Sequence, residues 1–482
     1  MESFDDKLAR FLAWLPGRTL LNTNYRVIVA DSRSVDFAPT ARTGRVTLPT
    51  PLIVEWLRAV DAKLISHAMP SKTMKDLVIE HGSEWASFHH GHASQLASLV
   101  AAWNQLPAGQ AQSTGNLHAS FSDALRKANL RFGSDHDAFT RAFLASVVTK
   151  RFVILTGLSG SGKTQIALRF AEWMGQDRSA LVAVRPDWTS PEALLGFEDL
   201  LRKDPETGRA PWHTPQTLDL FLRAAANPDE PYVLILDEMN LAHVERYFAD
   251  VLSGMESDAP LLPSLKRDAG EWVVDDPGQR IPLPDNVFVI GTVNIDETTY
   301  MFSPKVLDRA NTLEFRVERT DLPAFDQVTK PSSLALAPAA HREAVLALAR
   351  GDAPNPGDLT EVAEHLKTLH DVLSKPGFEF GHRTYFEALR FAAMHKALGG
   401  SDALEALDLQ VLQKLLPRLH GSRRRIEKTL CRLANYCWDF GHEPTFDPLQ
   451  EREGDARLPK SFNKLARMTE RVRTNQFVSF AE

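Results

Sequence analysis

Residues 157–164 read Gly157-Leu158-Ser159-Gly160-Ser161-Gly162-Lys163-Thr164, and this stretch decides the fold. It stands between an apolar run, Phe152–Leu155, and a stretch of helical pattern, Gln165–Met174. The glycines permit backbone angles that turn several N–H groups into one concavity, and the following helix adds the positive end of its dipole. Phosphate fits such a concavity. The pattern therefore predicts a phosphate-binding loop and a bound nucleoside triphosphate.

The two residues that end this stretch predict the metal as well. Lys163 is expected to reach the β and γ phosphates, and the Thr164 hydroxyl is expected to ligate Mg²⁺. A glycine-rich turn without a ligand is the alternative, but a strand before it and a helix after it favour the phosphate loop. The predicted nucleotide-binding residues are Gly157, Leu158, Ser159, Gly160, Ser161, Gly162, Lys163, Thr164 and Gln165.

A second apolar run delivers two carboxylates to the end of a strand. Residues 232–238 read Tyr-Val-Leu-Ile-Leu-Asp-Glu, which is typical of a central strand in a parallel sheet covered on both faces. Asp237 is expected to join Thr164 at the Mg²⁺, and Glu238 is expected to polarise the attacking water. Two acids at a solvated strand end are the alternative; the phosphate loop favours a catalytic role.

A third apolar run, Val287–Val293, ends on an amide. Asn294 in that position can sense the γ-phosphate and help to hold the water. Its alternative role is that of a turn residue that terminates the strand.

Together these stretches resemble the AAA+ ATPases, and within them the McrB-like branch of the MoxR/McrB clade. Further likeness lies in three stretches, Leu236–Ala242 running into Val244–Phe248, Gly291–Thr299, and Phe302–Ala310. The resemblance covers residues 140–440 or so and leaves out the N-terminal third. It implies an α/β fold: a parallel P-loop sheet with a helical lid.

The resemblance also implies roles for two arginines. Arg309, in Leu-Asp-Arg, stands where an arginine finger projects into the nucleotide of a neighbouring subunit, and Arg383 matches the sensor-2 position in the lid. A finger needs a planar, permanently charged fork aimed at phosphate. The alternative for each is a surface salt bridge, which is common in a chain with 55 basic and 62 acidic side chains.

Composition marks candidate linkers, and the resemblance then implies four segments: an α+β N-terminal recognition or partner domain at 1–106, a linker and connecting helix at 107–134, the large α/β subdomain at 135–330, and the helical lid with a C-terminal extension at 331–482. With 43% hydrophobic residues and no run of some 20 apolar residues, we expect a cytoplasmic protein without membrane contact. Cys431 and Cys437, the two cysteines, are expected to be reduced and to lie in the core.

Two insertions are predicted in the large subdomain. A helix from Ala193 to Leu200 is expected to run into a hairpin near Trp212, and Trp272–Val274 is expected to face Ile281–Leu283 across a turn. Either tryptophan could touch a substrate, although packing is the favoured role.

Two polar clusters are interpreted as solvated surface rather than as sites. The histidines of segment 80–92 follow no metal-ligand spacing, and Arg423-Arg424-Arg425 reads as a solvated helix start, with contact to a partner left open.

The function predicted from the resemblance is an NTPase motor that hydrolyses ATP, or GTP, in a homo-oligomeric ring, a hexamer. It is expected to serve prokaryotic restriction or anti-phage defence, to act on DNA, and to work with a separate McrC-type nuclease. The alternative is a MoxR-like chaperone that remodels proteins; near-equal acidic and basic counts in the N-terminal third do not decide between DNA and a protein partner. A scaffold that binds nucleotide without hydrolysis is disfavoured by the presence of Lys163, Asp237, Glu238 and Asn294 together.

Overall fold

The computed structural model describes scattered positions before residue 110 and then residues 110–480, with gaps at 133–134, 258–259, 263–264, 269, 275–280, 296–299, 318–329, 352–357 and 444. The chain forms two compact units, Met1–Gln110 and Ala111–Glu482. Each is described below by itself.

The N-terminal unit contains an antiparallel sheet in the order β1-β2-β3, formed by β1 (Tyr25–Ala30), β2 (Ser34–Pro39) and β3 (Val46–Pro49). The strands predicted at 25–30 and 46–48 are present, and β2 between them was not predicted. The histidine-rich segment 80–92 lies outside the described residues.

The second unit alternates helices with strands. In chain order they are α1 (Gln110–Lys127), α2 (His136–Thr149), β4 (Phe152–Gly157), α3 (Lys163–Gly175), β5 (Ser179–Ala183), α4 (Glu192–Leu195), β6 (Phe197–Glu198), β7 (Trp212–His213), α5 (Gln216–Ala226), β8 (Tyr232–Asp237), α6 (Val244–Tyr247), α7 (Ala249–Gly254), β9 (Pro260–Leu262), β10 (Leu265–Asp268), β11 (Glu271–Val274), β12 (Ile281–Pro282), β13 (Val287–Asn294), α8 (Pro304–Leu307), β14 (Asn311–Phe315), α9 (Ala339–Arg350), α10 (Thr360–Ser374), α11 (His382–Ala397), α12 (Ala403–Gln410), β15 (Gly421–Ser422), α13 (Arg423–Asp439), α14 (Pro459–Asn475) and β16 (Phe477–Val478).

Five of these strands form a parallel sheet in the order β14-β4-β13-β8-β5. The inner strands β4, β8 and β13 are buried along almost their whole length because apolar side chains cover both faces of the sheet. Insertion of β13 between β4 and β8 brings the carboxyl ends of all three strands to one edge. The predicted parallel α/β sheet with a helical region after it is confirmed.

The lid helices α9–α14 pack around one continuous apolar core that also includes α1–α3. Cys431 and Cys437, which were predicted to lie in the core, are both buried, and no disulfide joins them. Within this region His395 is 1% exposed, and burial lowers its pKa to about 4, with further lowering by the charge of Arg141. The Glu405 carboxylate lies 3.6 Å from His395 Nε2, but Arg141 lies 3.9 Å from the same carboxylate and competes for it, so we expect the neutral imidazole.

Helix α1 begins at Gln110, within the segment predicted as linker and connecting helix. Two local expectations are wrong. The helix expected over 193–200 ends at Leu195, because Gly196 leaves helical geometry with φ +74° and a Cβ there would overlap the His213 carbonyl oxygen.

The second insertion also pairs differently from the prediction. Strand β11, which contains Trp272, pairs antiparallel with β10, whereas β12 pairs with β9. The turn expected at 275–278 lies outside the described residues. The hairpin predicted near Trp212 is present as β6 and β7.

Both tryptophans of the insertions pack against the protein. Trp212 Nε1 donates a hydrogen bond of 2.9 Å to the Leu195 carbonyl. Trp272 lies beside the Arg267 guanidinium and packs on a second apolar cluster, which includes Phe152, Leu234 and Val289. The two hairpins contact each other through ion pairs Arg202–Glu271 and Arg209–Asp268.

Candidate nucleotide site

The phosphate loop connects the end of β4 to the start of α3. Gly157 has φ +155°, and a Cβ there would overlap the carbonyl oxygen of Phe315 on the adjacent strand β14. Gly162 caps α3 with φ +97°, a left-handed conformation that favours glycine. These two glycines allow the loop to turn tightly from strand to helix, so that the helix N-terminus faces the loop.

Lys163 lies within this loop rather than on the surface. It is 4% exposed, and its Nζ donates to the carbonyl oxygens of Gly157 at 2.9 Å and Leu158 at 2.6 Å. The Lys163 ammonium therefore lies inside the loop, where the oxygens of a bound phosphate would pair with its charge. Of the other predicted loop residues, Leu158 is 55% exposed and Gln165 is half-buried on α3.

Thr164 and Asp237 meet across the sheet edge. Thr164 Oγ1 donates to Asp237 Oδ1 at 3.0 Å, and Thr292 Oγ1 on β13 donates to the same oxygen at 2.7 Å. A hydroxyl and a carboxylate are hard oxygen donors, which suit Mg²⁺ held partly by substrate phosphates. The donor set and the loop thus fit a nucleotide with Mg²⁺. In the described part of the chain, no group of three or more His, Cys, Asp or Glu side chains forms a metal site.

Glu238 and Asn294 extend this hydrogen-bonded set of residues. Glu238 adopts the left-handed conformation, φ 54° and ψ 49°, and its backbone N–H donates to Thr292 Oγ1 at 3.0 Å. Asn294 Nδ2 donates to Glu238 Oε1 at 3.0 Å. The side chain of Glu238 is therefore turned toward the end of β13, and the amide fixes one of its oxygens.

Thr292 is the residue that the sequence analysis missed. It is 2% exposed and bonds both acids, so it fixes their positions relative to the third strand. The available signal was a threonine inside an otherwise apolar run, two residues before Asn294.

The two predicted arginines lie at the other end of the sheet. Arg309 precedes β14, whose Asn311 pairs with Val153 and whose Phe315 pairs with Gly157. At about 3.3 Å per residue, the four steps of β14 from Asn311 to Phe315 span about 13 Å, and Arg309 precedes them, so its backbone is more than about 13 Å from the phosphate loop of its own chain. Arg383, on the first turn of α11, contacts Glu256, which also contacts Arg309. The structure thus brings these arginines to each other and not to Lys163.

A cavity of about 390 Å³ opens beside the phosphate loop. Ser161 of the loop lines it, together with three phenylalanines and the lid residues Leu409, Leu412, Gln413 and Lys460. The phenylalanine rings lie edge to face or tilted: centroids of Phe132 and Phe139 are 5.1 Å apart, and those of Phe139 and Phe315 are 4.8 Å apart. The volume and the aromatic lining suit a small planar ligand. No short sequence pattern marks this cavity.

Comparison with known proteins agrees with the α/β fold of the large subdomain. Residues 152–310 match the family model of the AAA domain (dynein-related subfamily), and residues 339–477 match a domain of unknown function, DUF8727. The chain therefore carries an AAA+ ATPase module. Over 157 residues the chain is 25% identical to the type IV methyl-directed restriction enzyme EcoKMcrB subunit of Escherichia coli (strain K12), so the module resembles the McrB-like type.

The match with that relative is partial. It spans 31% of this chain and 32% of the relative, so about a third of either protein is covered. A solved structure of a putative ATPase from Cytophaga hutchinsonii ATCC 33406 is similar at 13% identity with a TM-score of 0.40, covering 64% of this chain and 88% of that one. In the described part of the chain, every helix is too short or too polar to cross a membrane.

Proposed function

We propose that this protein hydrolyses a nucleoside triphosphate with Mg²⁺, and that ATP is the substrate, with GTP as the alternative. One observation carries the proposal: an unbroken chain of hydrogen bonds joins Thr164, Asp237, Thr292, Glu238 and Asn294 where three adjacent strands end beside the phosphate loop. These residues combine phosphate binding, metal binding and a carboxylate base in one place.

Each side chain then has a defined task. Lys163 and the loop amides hold the β and γ phosphates, and Thr164 and Asp237 would hold the metal. When bound, Mg²⁺ would supply positive charge that offsets the negative charge developing on the phosphates in the transition state. Glu238 orients the attacking water and polarises it, and Asn294 keeps that carboxylate in position through the 3.0 Å bond.

The test is the Glu238→Gln substitution. We expect loss of phosphate release by at least about a hundredfold, since general-base catalysis contributes on this scale, while nucleotide affinity stays close to that of the wild type. Asp250→Asn is the control, because it neutralises an exposed carboxylate a short distance along the chain. Turnover of Glu238→Gln equal to that of the control would reject the catalytic assignment.

The cavity beside the loop offers a place for the nucleobase. Phe132 lies against the loop, since a Cβ on Gly162 would come within 3.3 Å of its Cε1. A base between these aromatic rings and the lid would connect nucleotide binding to lid position. Parallel hydrolysis assays with ATP and GTP, each fitted for KM, decide between the two substrates.

We propose further that the sites work in a homo-oligomeric ring, a hexamer. Support comes from the position of Arg309 before β14, more than about 13 Å from the phosphate loop of its own chain and therefore too far to serve a nucleotide bound there. Turnover should therefore rise with protein concentration faster than in proportion, and Arg309→Ala should abolish that rise. Particle imaging with a non-hydrolysable nucleotide would give the number of subunits.

For the biological role, we propose a motor subunit of a prokaryotic restriction or anti-phage defence system, located in the cytoplasm and acting with DNA and a separate McrC-type nuclease. The support is the partial likeness to a subunit of a methyl-directed restriction enzyme. Pull-down with DNA and with candidate protein partners tests it: capture of DNA together with a nuclease favours this role, and capture of a protein substrate alone favours a MoxR-like remodelling chaperone.

A further inference from the structure

The carboxylate of Glu256 is shared by the two predicted arginines. Arg309 Nη2 pairs with one oxygen, Oε2, and Arg383 Nη2 pairs with the other, Oε1. Glu256 follows the last turn of α7, where the negative end of a helix disfavours a carboxylate unless cations compensate for it. The three side chains therefore depend on each other for their positions.

The trio runs from the interior to the surface. The side chain of Arg309 is 7% exposed, and its Nε and Nη1 donate to the carbonyl oxygens of Leu252 at 3.0 Å and Lys305 at 2.8 Å. The Glu256 side chain is 35% exposed and that of Arg383 is 41% exposed. Arg309 is thus held in the interior, Glu256 links it to the surface, and Arg383 is exposed to solvent.

The surroundings of the trio carry a surplus of positive charge. Lys150 and Lys414 both pair with Glu387, and Arg418 pairs with Asp308. Together with the trio, five basic side chains share three carboxylates, so this cluster carries two more positive than negative charges. Burial lowers the pKa of Lys414 to about 8, and burial followed by the charge of Arg383 lowers that of Arg309. Such a cluster attracts an additional anion.

A large apolar side chain lies next to this charge. Phe386, one helical turn beyond Arg383 on α11, is 64% exposed. Aromatic residues and arginine are enriched at interfaces between proteins. Because the phosphate loop of the same chain is at the opposite edge of the sheet, a head-to-tail contact between identical copies would place the phosphates of one copy against this cluster on the other.

We propose that Glu256 is a positioning residue that holds Arg309 and Arg383 as one two-arginine group for the terminal phosphates of the nucleotide on a second copy, with Phe386 in the contact. This inference rests on the proposed hydrolysis in a ring. Arg383 makes the outer contact with phosphate. Arg309 supports it from the interior side of the shared Glu256 carboxylate.

The test is Glu256→Gln in the full chain, with ATP and Mg²⁺. Loss of a charge-assisted contact on each arginine should lower kcat about tenfold or more and leave nucleotide affinity unchanged, because the phosphate loop of the same chain is untouched. The matched control is Glu427→Gln, which removes a carboxylate shared by Arg423 and Arg473 elsewhere in the lid. The control should turn over like the wild type.

A mixing experiment separates positioning across the interface from a structural role. Glu256→Gln chains keep an intact phosphate loop, and Glu238→Gln chains keep an intact two-arginine group. Mixing the two impaired proteins should raise turnover above that of either protein alone, since the second supplies the two-arginine group to the first. No restoration, or wild-type kcat in Glu256→Gln alone, overturns the inference.

Failure of the proposed function has a different outcome. If the wild-type chain releases no phosphate at any concentration, hydrolysis itself is refuted, and the role of Glu256 with it. If Glu256→Gln does not fold, Arg383→Gln takes its place in both experiments, because a side chain 41% exposed contributes little to packing. Wild-type turnover in Arg383→Gln would then count against the proposal.

Discussion

Replacement of Thr292 by valine removes one hydroxyl and changes two contacts at the site. The hydroxyl donates to Asp237 Oδ1 at 2.7 Å and accepts from the Glu238 N–H at 3.0 Å, and the residue is 2% exposed. Valine has nearly the same shape but can satisfy neither group. The substitution therefore probes how the two acids are positioned, while the packing of β13 stays almost the same.

The expected magnitude follows from these two bonds. A hydrogen bond to a charged group contributes about 1.5–3 kcal/mol, and a part-buried N–H left without a partner costs about 1–3 kcal/mol. Allowing for overlap between the two, we expect the free energy of unfolding to fall by about 2–4 kcal/mol. If about 1.4 kcal/mol of this is also lost from the transition state, turnover falls about tenfold.

The assay combines denaturant unfolding with steady-state phosphate release. The matched control is Thr312→Val on the adjacent part of the same sheet: Thr312 is 2% exposed, and its hydroxyl has no hydrogen-bond partner among the described residues. That substitution should be neutral or slightly stabilising, because it buries no unpaired hydroxyl. Equal stability and equal turnover of the two valine variants would refute the reasoning that Thr292 positions the acids.

Three further predictions concern the loop, the cavity and pH. Gly157→Ala should reduce stability and nucleotide binding more than Gly208→Ala, measured by thermal unfolding and titration, because both have positive φ but only at Gly157 does the added Cβ overlap another strand; an equal cost for both contradicts this. Phe139→Leu should weaken ATP about tenfold without changing the affinity for inorganic triphosphate, if the ring stacks on the base; equal weakening of both ligands would place the effect outside the base cavity. His395 has a folded pKa of about 4 against 6.5 unfolded, so its contribution to stability is present above pH 6.5 and is lost as pH falls through 4. The His395→Phe variant should therefore lose less stability than the wild type between pH 6.5 and 4, by up to about 3 kcal/mol in denaturant titrations. An identical slope for the two proteins would show that the imidazole has the same pKa in the folded and unfolded states, contrary to this prediction.

Much of the large subdomain was predictable because its signals are local. The glycine-rich loop, the strand before it and the helix after it lie within a few consecutive residues, and each apolar run ends on a polar side chain. In a parallel sheet all such ends point to one edge, so Lys163, Asp237 and Asn294 were expected near each other without knowledge of the strand order.

The predictions were wrong where the outcome depended on contact between two segments that are distant in the sequence. The composition around Trp272 allowed more than one partner strand, and the structure pairs it with β10. The helix after Pro191 stops early because the His213 carbonyl occupies the space beside Gly196, and that neighbour is not visible in a local pattern.

The sequence by itself determined that the chain has a phosphate loop, two acids after a buried strand and an amide after the next, because each depends on backbone geometry over a short stretch. Only the tertiary structure decided which groups bond to each other: Thr292 to both acids, the three phenylalanines around one cavity, and Glu256 to both arginines. Those contacts join residues far apart in the chain, and strand order together with lid packing brings them within hydrogen-bonding distance.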